Sequence, residues 1–148
     1  MFRGSSEYTL DDKGRLVLPP RFREVIRTGG GDMVMITQKD NALYGYTLSE
    51  WSKLEERILE LSKKSDIMRR FRRSFVGKAQ ECPFDKQGRV LIPPTLREGA
   101  HLEKEIVLVG DLDHFEIWRK DNWELENKAL ENDMQSVEVR NEIAQLGL

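Results

Sequence analysis

The 148-residue chain has only one cysteine, Cys82, so no internal disulfide can staple the fold and a reducing, cytosolic compartment is expected. Long apolar runs are missing as well: no stretch approaches the ~18 consecutive apolar residues of a membrane-spanning helix. Arg3, Gly4, Ser5 and Ser6 directly follow Met1-Phe2, where a secretory signal would carry its apolar segment. Histidine is scarce. His101 and His114, like Cys82, lie scattered without metal-ligand spacing, so no metal is expected. No Ser-His-Asp or paired-carboxylate constellation stands out, which speaks against an enzyme, and nothing asks for a cofactor. Gly29-Gly30-Gly31 is followed by a strand-like segment, whereas a phosphate cradle needs a helix there.

Net positive charge is absent too, since the chain carries −2 overall, but the balance is uneven. Residues 1–100 hold 19 Lys and Arg against 14 Asp and Glu, and residues 101–148 hold 5 against 12. A polyanionic partner, if there is one, should meet the first part of the chain.

What the chain does have is a repeat. Asp11-Asp12-Lys13-Gly14-Arg15-Leu16-Val17-Leu18-Pro19-Pro20-Arg21-Phe22-Arg23-Glu24 returns as Asp85-Lys86-Gln87-Gly88-Arg89-Val90-Leu91-Ile92-Pro93-Pro94-Thr95-Leu96-Arg97-Glu98. The offset of 74 is half the chain, which implies duplication of a small unit and pairing about a pseudo-twofold axis. Phe2-Arg3-Gly4 finds a counterpart in Phe75-Val76-Gly77, and Glu7 in Glu81. Met33–Ile36 parallels Ile106–Val109, and Leu43, Tyr46 and Trp51 parallel Phe115, Trp118 and Trp123. Each half of ~74 residues would be marginal alone, so one fused core is expected.

Local signals set the elements of each half. Tyr8 and Leu10 on one side, and Leu16–Leu18 on the other, flank a turn at Asp11–Gly14, which reads as a hairpin. The proline pair stops the strand and starts a short helix over Arg21–Arg27. Met33–Thr37 and Ala42–Thr47 read as a second hairpin, and Ser49 as the cap of a helix over Glu50–Lys64 with Trp51, Leu54, Ile58 and Leu61 on one face. A second helical stretch follows from Asp66, with Ile67, Met68, Phe71 and Phe75 on one side and Arg69, Arg70, Arg72 and Arg73 largely on the other. The second half repeats the layout and ends in a helix from Asp121, where Asp121 and Glu124 suggest a capping box. Trp51 and Trp123 are expected in the core. The tail 131–148 is acidic and helix-prone.

Asp and Gly are what a tight turn asks for, but a turn has no need of Arg15 or Arg89. An Arg at a hairpin turn, held by the Asp four residues earlier, presents a planar fork of donors suited to phosphate or to the O6/N7 edge of guanine. Arg21 and Arg23, on the short helix behind the first turn, are candidates for phosphate contacts. The basic face of Arg69, Arg70, Arg72 and Arg73 reads as a link between halves rather than a base reader.

The opening Met1-Phe2-Arg3-Gly4, the segment Leu10–Leu16, the Pro-x-x-x-Arg after it, and Asp85-x-x-Gly88-Arg89 with Leu91-Ile92-Pro93 resemble the bacterial MraZ family. The resemblance spans nearly the whole chain. Relatives of that family, the AbrB/SpoVT regulators, interlock two chains as swapped hairpins in one barrel. The resemblance therefore implies an α+β fold: a duplicated AbrB-type swapped-hairpin β-barrel, double-psi-like, with flanking helices and a pseudo-twofold within one chain. Its repeats would be 1–74 (core about 5–48, with a helical linker) and 75–148 (core about 77–120, with a C-terminal helix).

In function the family implies a cytoplasmic, nucleoid-associated transcriptional regulator that binds double-stranded DNA upstream of its own division and cell-wall operon and assembles into homo-oligomeric rings. A head-to-tail ring presents its loops in one sense, so the operator is expected to hold direct repeats. Carried onto this chain, the signature positions are Asp11 with Arg15 and Asp85 with Arg89. Lys13 and Gly14 match the first loop. Gln87 stands where the first loop has Lys13, with Lys86 one step earlier, so the second loop is expected to contact DNA less. The rival reading is a protein-interaction module of the antitoxin type, with helices 50–75 and 121–148 gripping a partner.

Overall fold

A computed structural model describes all 148 residues. The first half runs β1 (Ser5–Thr9), β2 (Arg15–Val17), α1 (Pro20–Thr28), β3 (Met33–Lys39), β4 (Ala42–Tyr46), α2 (Leu48–Ser62) and α3 (Asp66–Gly77). The second runs β5 (Gln80–Pro83), β6 (Arg89–Leu91), α4 (Pro94–Gly99), β7 (Glu105–Asp111), β8 (His114–Arg119), α5 (Lys120–Asp133) and α6 (Val137–Ala144). The order of elements in the two halves is the repeat expected from sequence. Both short helices begin on a proline at their first positions, where the missing amide costs nothing.

The strands do not pair as sequence neighbours would. β1 and β2, read as one hairpin, part company after their turn: β1 joins β7 and β2 joins β6. Six strands form an antiparallel sheet in the order β1-β7-β8-β4-β3-β5, and β2 with β6 makes a separate two-stranded ribbon. Only β3–β4 and β7–β8 are hairpins within a half. The reason is burial. Leu16 and Leu18 on one side of the turn, and Leu10 on the other, all enter the same core, and each strand covers it best beside the other half.

The registers contain the pseudo-twofold. In the ribbon Leu16 faces Val90, flanked by Arg15↔Leu91 and Val17↔Arg89. In the sheet Tyr44 faces Glu116, flanked by Leu43↔Ile117 and Gly45↔Phe115. The same swap of partners relates β1–β7 to β5–β3. That relation corrects one alignment: Glu81 faces Met35 as Glu7 faces Val107, so Met33–Ile36 corresponds to Glu105–Leu108, one residue earlier than the sequences suggest. A one-residue slip would turn Val34 and Ile106 out of the core, and the pleat forbids it.

One core of eighteen buried residues gathers side chains from both halves, including a triad of rings from Phe2, Phe22 and Phe115 with centroids 5.1–5.6 Å apart. A smaller cluster joins Tyr46, Trp51, Ile58 and Phe75 where α2 and α3 meet the sheet. Phe2 and Phe75, matched in sequence, differ in setting: Phe2 bridges to Leu112 in extended backbone, and Phe75 lies in α3.

Several local expectations are corrected. The cap of α2 is Thr47, whose hydroxyl accepts from the Glu50 amide at 3.1 Å, not Ser49. α5 starts at Lys120 after Arg119 with no side-chain cap, so Asp121 sits inside the first turn. Leu61 and Ile67 are exposed, and Trp123 is only half-buried, its ring against Trp118 at 5.6 Å. α5 and α6 bury no residue at all. No helix is long and apolar enough to cross a membrane.

Candidate nucleic-acid interface

Both turns are built by a single aspartate doing three jobs. Asp11 Oδ1 accepts from the amides of Lys13 (3.0 Å) and Arg15 (2.8 Å), and its Oδ2 accepts from Arg15 Nε at 2.6 Å. Asp85 does the same with Gln87 (2.9 Å), Arg89 (2.9 Å) and Arg89 Nε (2.7 Å). The amide of the following Arg does most to hold each carboxyl below the usual carboxylate range; desolvation opposes it, and the guanidinium and the second amide add to the lowering. The sequence-level expectation that Asp orients Arg across four residues is met in geometry. Because the carboxylate takes only Nε, both terminal nitrogens of Arg15 are left without a protein partner. Arg89 differs: its Nη2 also donates to Gln87 Oε1 at 3.3 Å.

The ribbon puts these two forks on one face. Leu16 and Val90 point into the core, so Arg15, Val17, Arg89 and Leu91 form the outer side, with the two arginines diagonal across the axis. Val17 and Leu91 are about half exposed between them. A two-stranded antiparallel ribbon is one of the shapes that the major groove of B-DNA admits.

Each turn is braced by the other half. Gly14 has φ +82° and Gly88 +75°, the left-handed region that a tight turn reaches most cheaply with glycine. A Cβ on Gly14 would lie 2.4 Å from the Arg97 guanidinium of α4, and one on Gly88 would lie 2.4 Å from the Arg23 guanidinium of α1. Arg97 Nε donates to the Ile92 carbonyl at 3.0 Å, whereas Arg23 Nε is buried without a partner. Backbone bonds cross in the same way, from Leu18 to Gly88 (3.4 Å) and from Ile92 to Gly14 (3.0 Å).

The other sequence candidates spread around this face. Lys13 and Lys86 are exposed at the turn tips. Arg21 is exposed with its guanidinium carbon 5.4 Å from the Phe22 ring, and Arg23 is half-buried over the second turn. In α3, Arg69 pairs with Asp66 and Arg72 donates to Ser62 at 3.0 Å, while Arg70 and Arg73 are exposed with no ion pair.

One cluster escaped the sequence reading. His114, set aside as isolated, meets Asp111, Asp113 and Glu116 at the β7–β8 turn. The signal was in the chain: Asp111 faces His114 across the hairpin, and Glu116 follows His114 by two on the same face of β8.

A family model described as "MraZ protein, putative antitoxin-like" matches residues 1–74 and again residues 75–142. A protein of Desulforapulum autotrophicum named transcriptional regulator MraZ is 57% identical over 148 residues, the whole of both chains. Another so named, from Desulfosudis oleivorans, is 53% identical over the same full length. A third, from Syntrophobacter fumaroxidans, is 43% identical over 136 residues, 92% of this chain and 91% of the relative. With both copies of the Asp-clamped turn matched and similarity running end to end, this chain belongs to the MraZ family.

Proposed function

We propose that this protein is a sequence-specific DNA-binding regulator of transcription. The observation that carries the reading is the pair of Asp-clamped arginines on one exposed face of the β2–β6 ribbon. The names of the relatives agree with it. In this reading the ribbon enters the major groove. Arg15 reads a base edge with its terminal nitrogens, Asp11 fixes the fork, Lys13 assists, and Gly14 lets the turn approach closely. Arg89, Asp85 and Lys86 form the second reader. Arg21 adds a phosphate contact, and Arg23 reaches phosphate only beside the turn it braces.

The two repeats, 1–74 and 75–148, act as one unit of the AbrB type, an interlocked barrel whose halves exchange strands. Exchange of β1, β2, β5 and β6 between halves supports this. α5 and α6, which have no fully buried residue and expose Leu125, Leu130 and Val137, with Leu146 just beyond, supply the contacts of a ring-shaped homo-oligomer. The ring sets the operator as short direct repeats about 10 bp apart, upstream of the protein's own division and cell-wall operon. The protein acts in the cytoplasm on the nucleoid and has no catalytic role.

Footprinting on DNA upstream of its own gene tests this. Protection of several same-sense repeats is expected, with affinity falling steeply as salt rises. A single palindromic site, or no protection, overturns it. The exposed α5 favours a second reading, an antitoxin-like module that grips another protein. Salt-insensitive capture of a protein, with no footprint, would establish that one instead.

A further inference from the structure

The cluster at the β7–β8 turn has the makings of a metal centre. His114 Nε2 lies 2.8 Å from Glu116 Oε2 and 3.6 Å from Asp111 Oδ2. Ligand atoms of all three residues fall within 4.8 Å of one another. Each inner ligand is itself held. His114 Nδ1 lies 2.8 Å from Asp113 Oδ1, the carboxylate–histidine arrangement that orients an imidazole toward a metal. Glu116 Oε1 accepts from Trp118 Nε1 at 2.9 Å, which leaves Oε2 facing His114 Nε2. The imidazole plane is fixed by stacking on Tyr44, with centroids 4.7 Å apart and planes 8° apart. Stacking occupies a face of the ring and leaves its nitrogen edge to the carboxylates.

Charge points the same way. Asp111, Asp113 and Glu116 have no Lys or Arg partner, and their only ion-pair partner is His114. Three carboxylates around one imidazole leave uncompensated negative charge at a site where His114 and Glu116 side chains are 14% and 10% exposed. Asp111, at 58%, gives an ion a path in from solvent.

We infer that Asp111, His114 and Glu116 form a binding site for a divalent transition-metal ion of the zinc class. Imidazole with carboxylate oxygens suits Zn²⁺, and three protein ligands leave a fourth position for water. On binding, the ion takes the place of the proton between His114 and Glu116, and that proton passes to solvent. The site breaks the internal symmetry of the chain. Ala42 and Tyr44 stand in the first half where His114 and Glu116 stand in the second, so one ion per chain is the limit. It lies at the sheet's strand pair on the pseudo-twofold and involves no residue of the arginine ribbon.

The test is isothermal titration of ZnCl₂ into the untagged, chelator-treated full chain, with melting curves alongside. One Zn²⁺ per chain is expected, with a rise in melting temperature that grows with free Zn²⁺. His114→Ala and, separately, Asp111→Asn should each weaken binding at least about tenfold, and Asp113→Asn by a similar factor through loss of orientation. Asp111 is exposed, so its substitution keeps the test valid if His114→Ala folds poorly. His101→Asn should change nothing. No binding by the parent chain, or binding that His114→Ala and Asp111→Asn leave intact, overturns the proposal.

Discussion

The two turns of the ribbon share a skeleton and differ at their working ends. Asp11 and Asp85 make the same three bonds at nearly the same lengths, and both glycines adopt the same left-handed backbone. The third residue of the turn sets them apart. Lys13 leaves the terminal nitrogens of Arg15 unengaged and adds a cation at the tip, whereas Gln87 engages Arg89 Nη2. The bracing differs in the opposite sense, since Arg97 over Gly14 is anchored to a carbonyl and Arg23 over Gly88 is not. The two copies keep the part that folds the turn and differ in the part that would meet DNA in the proposed function. The first turn is the stiffer, with the more available fork.

The sharpest way to break this comparison is to remove each fork. Arg15→Ala should cost roughly 1–3 kcal/mol of operator affinity per contact, multiplied across repeated subunits, with the melting temperature nearly unchanged. Arg89→Ala should cost less. Gel-shift titrations and melting curves on both variants decide it. Equal losses would mean that the two turns engage alike.

Next in size is the bracing. Gly14→Ala and Gly88→Ala each force a side chain into left-handed backbone, about 1–2 kcal/mol by itself, and against a guanidinium 2.4 Å away. Arg23 has no hydrogen bond at Nε to surrender, so Gly88→Ala should destabilise less than Gly14→Ala in urea unfolding. The reverse order would show that the Arg97 anchor adds no stiffness.

Exchanging the third residues should move affinity only a few-fold, and mainly through salt. Lys13→Gln should lower the slope of log affinity against log salt by about 1, and Gln87→Lys should raise it similarly. A slope that stays fixed would remove Lys13 from the interface.

The smallest effect is one on which the turns should agree. Both clamping carboxyls titrate below their ordinary value, so their stabilisation is full above that value and is lost as pH falls through the lowered one. The gap in melting temperature between the parent and Asp11→Asn, or Asp85→Asn, should narrow together as pH drops from roughly 5 to 2. Divergent profiles would show that the clamps are not equivalent.

Much of this was legible in the chain because it is local. An Asp, two residues, a Gly and an Arg dictate a turn and an ion pair within five residues, and a proline pair dictates where a helix starts. What the sequence hid is where strands go after the turn. Tyr8–Leu10 and Leu16–Leu18 look like hairpin arms from either side, and nothing in their pattern says that β7 and β6 are better partners. Capping at Thr47 rather than Ser49 is a shift of two within a run where either residue type caps well. Trp123 looks like Trp51 in spacing, but α5 has no second helix against it as α2 has α3, so its ring stays half open. His114 stands apart from His101 and Cys82 along the chain, so linear spacing does not mark it as a ligand. Its neighbours are carboxylates brought close by strand alternation and a hairpin.

The crossed pairing also governs how the molecule comes into being. When β4 has left the ribosome, the first half owns a single hairpin, β3–β4, and the partners of β1 and β2, like the second partners of β3 and β4, do not yet exist. At ~5–20 residues per second, the 73 residues from Tyr46 to the end of β8 at Arg119 take roughly 4–15 s to synthesise. Throughout that interval the open strand edges of the nascent half face a crowded cytosol. On a polysome, the second half of a neighbouring chain can satisfy them as well as the chain's own. The error this topology predicts is therefore an intertwined dimer formed during translation. Its frequency should rise when the ribosome slows between α3 and β8 and fall when that stretch is decoded quickly.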